Sequence, residues 1–173
     1  ASFGATNPRV TITDLLTDEV SEPGLNNDCL APHWDSASAG FYCSTYDESA
    51  DSSSLSHFFI ATRQTEILQT DVAGVIADVS EDGDFALIIH KSAGGGRTLV
   101  RRRFSTGEER TIVQASGFVG GYFMYSPDRV IAYRTAENGN QLPTQYVQIG
   151  AANMLFTTMQ APAGTVASDF FPE

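Results

Sequence analysis

Three groups of residues in this chain are of types that do chemistry: two cysteines, a scatter of acids and histidines, and one run of arginines. Cys29 and Cys43 are close enough in sequence to close a small loop. They flank a predicted hairpin over 30–42, so a disulfide across neighbouring strands is expected, diagonal or bulged rather than directly opposed. Two buried free thiols are the alternative. Cys29, His33 and Cys43 together also suggest zinc, but no fourth ligand accompanies them. His33, Asp78, Met124 and Asp169 fall at one equivalent position when the first strand of each successive unit is aligned. If that position faces a common axis, the imidazole of His33 and the carboxylates of Asp78 and Asp169 would suit a hard cation such as Ca²⁺. Packing between sheets, or contact with water at a channel mouth, is the simpler use of such side chains. Asp47, Glu48 and Asp51, in a Ser-rich loop, are a second calcium candidate, with a solvated acidic loop as the simpler reading. No other cofactor is expected.

Arg101, Arg102 and Arg103 stand out in an acidic chain. Strand alternation sends Arg101 and Arg103 to one face and Arg102 to the other. One reading is an outer strand whose solvated charges discourage edge pairing. The other is an interface: an electrostatic contact to an acidic patch on another copy, such as 47–51, which added salt would weaken. Catalytic signatures are missing. There is no Gly-x-Ser-x-Gly elbow, phosphate loop or His-Glu-x-x-His motif. Asp78 and Asp169 could be imagined as a glycosidase pair. Gly94, Gly95 and Gly96 precede a strand and read as a hairpin loop.

The 173 residues are 42% hydrophobic and 18% charged, the composition of a folded domain rather than a disordered chain. Ten Lys+Arg against 21 Asp+Glu leave a net charge of -11, which argues against nucleic acid and anionic membrane as partners. Apolar runs are far too short to insert in a bilayer as a helix. Lys91 is the only lysine, and the chain starts Ala1-Ser2-Phe3 without Met, as a processed protein would. With the cysteine pair, this predicts a secreted or surface-exposed protein.

The elements that must position these residues are strands. Short runs such as Arg9–Thr13, Gly40–Ser44, Phe85–Ile89, Val130–Tyr133 and Gln145–Ile149 alternate with Gly, Asp, Asn, Ser and Pro. Taking Asp35, Ser80 and Ser126 as equivalent turn residues, the pattern repeats after 45 and 46 positions. Hairpins at 16–19, 62–66, 105–109 and 150–153 recur at a similar period. A repeat of that length holding four strands predicts a propeller blade, because a small sheet with two apolar faces buries both only between neighbours. The expected fold is all-β: a single four-bladed propeller over 1–173, with blades at about 25–72, 73–116 and 117–160. The last blade is shared between 161–173, its innermost strand, and 1–24, its other three.

Tyr125-Ser126-Pro127-Asp128, Ser80-Glu81-Asp82-Gly83 and Phe104-Ser105-Thr106-Gly107-Glu108-Glu109 resemble the TolB-type, WD40-like propeller repeat, in which an aromatic-Ser-Pro-Asp-Gly turn precedes an apolar strand and a Thr-Gly-Glu hairpin follows the third. Trp34-Asp35-Ser36 and Phe171-Pro172-Glu173 are degraded copies. The resemblance implies the repeat class; partner-binding proteins, peptidase propellers and structural proteins all use it. The expected function is a non-enzymatic structural or assembly module that contacts protein, including copies of itself. Its contacts would run through Arg101–Arg103 or through Ala1, Ser2, Phe3, Phe170 and Phe171 at the shared blade, building an extracellular polymer. A propeller binding carbohydrate or another small ligand at the channel mouth is the alternative, and a hydrolase a third.

Overall fold

The computed structural model describes residues 10–13, 15–21, 29–30, 32–92 and 94–159. Every regular element among them is a strand. β1 (Ile12–Thr13) and β2 (Val20–Ser21) form a two-stranded hairpin. Three four-stranded antiparallel meanders follow in chain order. The first comprises β3 (His33–Trp34), β4 (Gly40–Asp47), β5 (Ser52–Phe59) and β6 (Gln64–Ala73). The second comprises β7 (Val75–Val79), β8 (Phe85–Lys91), β9 (Arg97–Arg103) and β10 (Glu109–Ala115). The third comprises β11 (Val119–Phe123), β12 (Arg129–Arg134), β13 (Gln145–Ile149) and β14 (Met154–Thr158).

The chemistry of β8 explains why these sheets pack face to face. Ala86, Leu87, Ile88 and Ile89 are all buried, so the strand is apolar on both sides. Successive side chains point to opposite faces. Ala86 and Ile88 therefore join Tyr42, Leu55, Ile76 and Val100 in the core between the first and second sheets. Leu87 and Ile89 join Leu99, Val119, Val130 and Val147 between the second and third. A third cluster, Cys29, Phe41, Cys43 and Phe58, covers the far side of the first sheet, and Val10 and Ile12 of the β1 segment pack on it. The order around the axis is thus β1–β2 hairpin, first, second and third sheet. This is the architecture of an all-β, four-bladed propeller. The strands expected at 1–5 and 161–173 in the shared fourth blade lie outside the described residues.

Polar groups join the sheets where apolar packing stops. The buried hydroxyl of Ser53 donates to the Gly74 carbonyl and accepts from the Ile76 N–H, at 2.8 and 3.2 Å. Ser44, also buried, donates to the Ile76 carbonyl. Both serines satisfy the backbone where β7 begins, where an unpaired amide would be costly.

The turn alignment expected from sequence shifts by two residues in the third blade. The N–H groups of Asp35, Ser80 and Met124 each donate to the carbonyl five residues later, at Gly40, Phe85 and Arg129. Met124, not Ser126, is therefore the structural counterpart of Ser80. The strand registers agree: His33, Asp78 and Tyr122 occupy the position that sequence alignment had given to Met124. Proline explains the shift. The first two turns take their positive φ on the third residue after the closing donor, at Ser38 and Gly83. In the third turn that place belongs to Pro127, whose ring holds φ near -65°. The left-handed residue moves to Tyr125, with φ 60°.

Candidate functional site

The three turns between the first and second strands of each blade converge at one end of the molecule. Asp78, near the end of β7, holds them together. Its Oδ2 accepts the Phe123 N–H of β11 at 2.7 Å. Its Oδ1 lies 3.4 Å from Nδ1 of His33 on β3. One carboxylate thus ties the inner strands of three blades. The hydrogen bond from His33 to Asp78 raises the imidazole pKa above its usual value, against the opposing effect of burial, and Glu81 adds to the rise.

That rise makes stability depend on pH. The His33–Asp78 pair stabilises the fold fully below the unfolded imidazole pKa of ~6.5, and the gain is lost as pH rises through the higher folded value. His33→Gln is expected to lower stability at pH ~5.5 by up to about 1 kcal/mol, the range for a partly exposed ion pair, and to have little effect at pH ~8.5. Urea titrations at the two pH values check this; a larger loss at the higher pH would contradict it.

A cleft of ≈ 190 Å³ opens between the turns. One wall carries Glu81, Asp82, Ser80 and Ser36, with His33 at its edge; the other carries Phe123, Tyr125, Ser126 and Pro127. The acidic wall is shaped from within. The Ser80 hydroxyl donates to Asp82 Oδ1, which also accepts the Asp84 N–H at 3.0 Å. The aromatic wall is braced from behind. Arg101 donates to the Pro127 carbonyl at 3.0 Å and to the Asp128 carboxylate. The left-handed backbone of Tyr125 leaves that ring 87% exposed.

The residues singled out from sequence are distributed as follows. Cys29 and Cys43 form a disulfide with a Cα–Cα distance of 5.2 Å, which removes both thiols from any zinc set. His33 and Asp78 meet, while Asp169 lies outside the described residues. Asp47 Oδ1 accepts the Ser49 hydroxyl and N–H and the Ala50 N–H, which hold its carboxyl below the usual range. Asp51 accepts the Tyr46 hydroxyl and pairs with Lys91 at 3.4 Å. Glu48 sits in the turn between them. Among the described residues no group of three or more His, Cys, Asp or Glu is placed to hold a metal ion.

The arginine run lies on β9, the third strand of its blade, and β10 is the outer one. Arg101 is only 8% exposed and spans to the third blade; Arg102 faces Glu109 at 3.3 Å; Arg103 reaches Asp84 at 2.7 Å. The charges expected at an interface or on an outer edge are thus directed to carboxylates of the same chain. Ala1, Ser2, Phe3, Phe170 and Phe171 lie outside the described residues.

Sequence reasoning missed the Asp35–His57 pair, 2.9 Å apart, whose imidazole stacks on the Tyr42 ring. Burial pushes the Asp35 carboxyl up, but the Ala39 N–H and His57 outweigh it and hold it below its usual value. Nothing in a lone histidine within a Ser- and Phe-rich strand signals this partner. Sequence reasoning also missed that Glu81 and Tyr125 line one cleft, although both stand in the turns quoted for the repeat.

No family model and no curated protein matches the sequence. Solved structures do. TolB from Acinetobacter baumannii is 14% identical, with a TM-score of 0.60 over 87% of this chain and 37% of that one. Oligogalacturonate lyase in complex with manganese is 13% identical, with a TM-score of 0.58 over 88% of this chain and 46% of that one. An auxiliary nutrient binding protein from Bacteroides thetaiotaomicron is 12% identical, with a TM-score of 0.58 over 88% of this chain and 36% of that one. The chain therefore spans between a third and a half of the lengths of these proteins. At such identities the likeness is one of fold: this is a TolB-like β-propeller.

Proposed function

We propose that this chain is a secreted, non-enzymatic propeller that works as an assembly module, binding copies of itself through its fourth blade. The observation that carries this reading lies at the two ends of the described series of sheets, the β1–β2 hairpin and the third blade. The β1–β2 hairpin is seated on the first blade by Val10 and Ile12. At the other end of the series the third blade turns outward a face with Tyr122 46% and Leu155 60% exposed. A blade made from 161–173 and 1–24 would fill the interval between the two. When both segments belong to one chain the ring closes; when a neighbour supplies one of them, chains are linked head to tail.

A further observation supports the reading: the disulfide suits an oxidising compartment. Asp78, the described member of the imagined glycosidase pair, is committed to Phe123 and His33. Its role is to hold strands.

Light-scattering mass at low and high salt, over a range of concentrations, tests the proposal. The expected result is a multiple of the chain mass that grows with concentration and survives salt, because strand pairing and apolar burial resist screening. Deleting 161–173 should return a single chain. A single-chain mass under every condition would overturn it.

A further inference from the structure

We infer that the cleft between the turns takes a guanidinium group, the arginine side chain of a bound protein segment. Its two walls are unlike. Glu81 and Asp82 supply carboxylates on one side, while Phe123, Tyr125 and Pro127 supply flat apolar surface on the other. The Glu81 backbone carbonyl accepts the Ser36 N–H, and among the described residues its carboxylate makes no hydrogen bond or ion pair, its charge acting on His33 at the cleft edge. The basic group at the edge, His33, is already turned to Asp78.

The chain uses the same combination for its own arginines next door. Arg101 lies over the Phe85 ring at 4.8 Å and Arg103 at 5.2 Å, and each also reaches a carboxylate, Asp128 and Asp84 respectively. One aromatic face with acids beside it is therefore a guanidinium clamp in this protein. The cleft repeats that inventory, with Tyr125 and Phe123 as the rings and Glu81 and Asp82 as the acids, and among the described residues its one basic group is His33, at the edge and turned to Asp78. Guanidinium fits better than ammonium because it is planar, stacks on rings and presents a fork of donors to carboxylates. A side chain fits better than a free ligand: ≈ 190 Å³ is below the ~300–1,000 Å³ of clefts that bury a whole small molecule. The net charge of -11 draws a basic segment toward this surface.

Tyr125 lets the cleft be altered without harming the fold. It is exposed, and its positive φ is one that asparagine adopts more readily. The inference does not depend on self-association, and a single chain would bind equally.

The test is an amide NMR titration of the intact chain with N-acetyl-arginine methylamide, the uncharged isostere N-acetyl-citrulline methylamide, the lysine counterpart, and glucose. The arginine compound should bind saturably, in the millimolar range of a single anchored side chain, and shift Ser80, Glu81, Phe123 and Tyr125. The citrulline compound should bind at least tenfold more weakly, and the lysine compound and glucose more weakly than arginine. Glu81→Gln and Tyr125→Asn should each weaken arginine binding several-fold while leaving the urea midpoint within error or, for Tyr125→Asn, raised. Absence of saturable shifts at these amides would overturn the inference. So would equal binding of citrulline or lysine, tighter binding of glucose, or full affinity in the double variant.

Discussion

Truncating Leu99 to alanine is expected to destabilise the fold by about 3–5 kcal/mol, the range for a fully buried leucine whose surroundings cannot collapse. Leu99 is fully buried in the core between the second and third blades, with Leu87, Val119, Val130 and Val147 around it. It packs directly on the backbone of β11. A Cβ built on Gly121 would stand 2.9 Å from Leu99 Cδ2 and 2.7 Å from the Ile131 carbonyl oxygen, so glycine is what admits the contact. The walls of the resulting hole are hydrogen-bonded sheets, which relax less than loops. A loss of that size is a large share of the ~5–15 kcal/mol that holds a typical domain. Urea unfolding checks it. A cost below about 1 kcal/mol would mean that the second and third sheets do not meet face to face.

The second large effect is expected from the disulfide. Opening Cys29–Cys43 by reduction, or replacing both with serine, releases a loop of sequence separation 14. Closure of a loop of about 15 residues is worth roughly 3 kcal/mol through the entropy of the unfolded chain. The bridge also fixes the segment before β3 against Phe41 and Phe58, the surface on which Val10 and Ile12 sit. Its loss should therefore loosen the β1–β2 hairpin before the second and third blades. Hydrogen exchange would show protection falling first at Ile12 and Val20, and the urea midpoint would drop with reductant. An unchanged midpoint would contradict the assignment.

The strands, their repeat and the bridge were legible in the sequence for simple reasons. Apolar runs such as Phe85-Ala86-Leu87-Ile88-Ile89 carry their own length and their own two-sided burial, and Cys29 and Cys43 are neighbours in the chain. What stayed hidden depends on residues distant in sequence. The register of the third turn hinges on Pro127 refusing a positive φ, which a match of Ser-Pro-Asp to Ser-Glu-Asp conceals. Arg101 reads as a surface charge until Asp128 and Pro127 of the next blade are placed beside it. The meeting of His33 with Asp78 follows from their shared strand position, and the structure adds that Phe123 is the third partner. The cleft has no signal in any single segment, because its two walls come from turns a whole blade apart.

The account stands on the fourth blade, and one measurement addresses it directly. A nitroxide carried by Val166→Cys, with the native bridge intact, would report which amides lie near the C-terminal segment. If that segment is the innermost strand of a blade ending in β1–β2, position 166 sits two strand spacings from β1, about 10 Å. In that arrangement it would also face the outward side of the third blade. The account predicts strong broadening of the Ile12 and Thr13 amides and of Tyr122, Ile131 and Tyr133. When spin-labelled chains without isotope are mixed with isotope-labelled, unmodified chains before assembly, the same amides should broaden, as linkage between copies requires. Undisturbed signals at all five positions in both samples would contradict the shared blade and the assembly built on it.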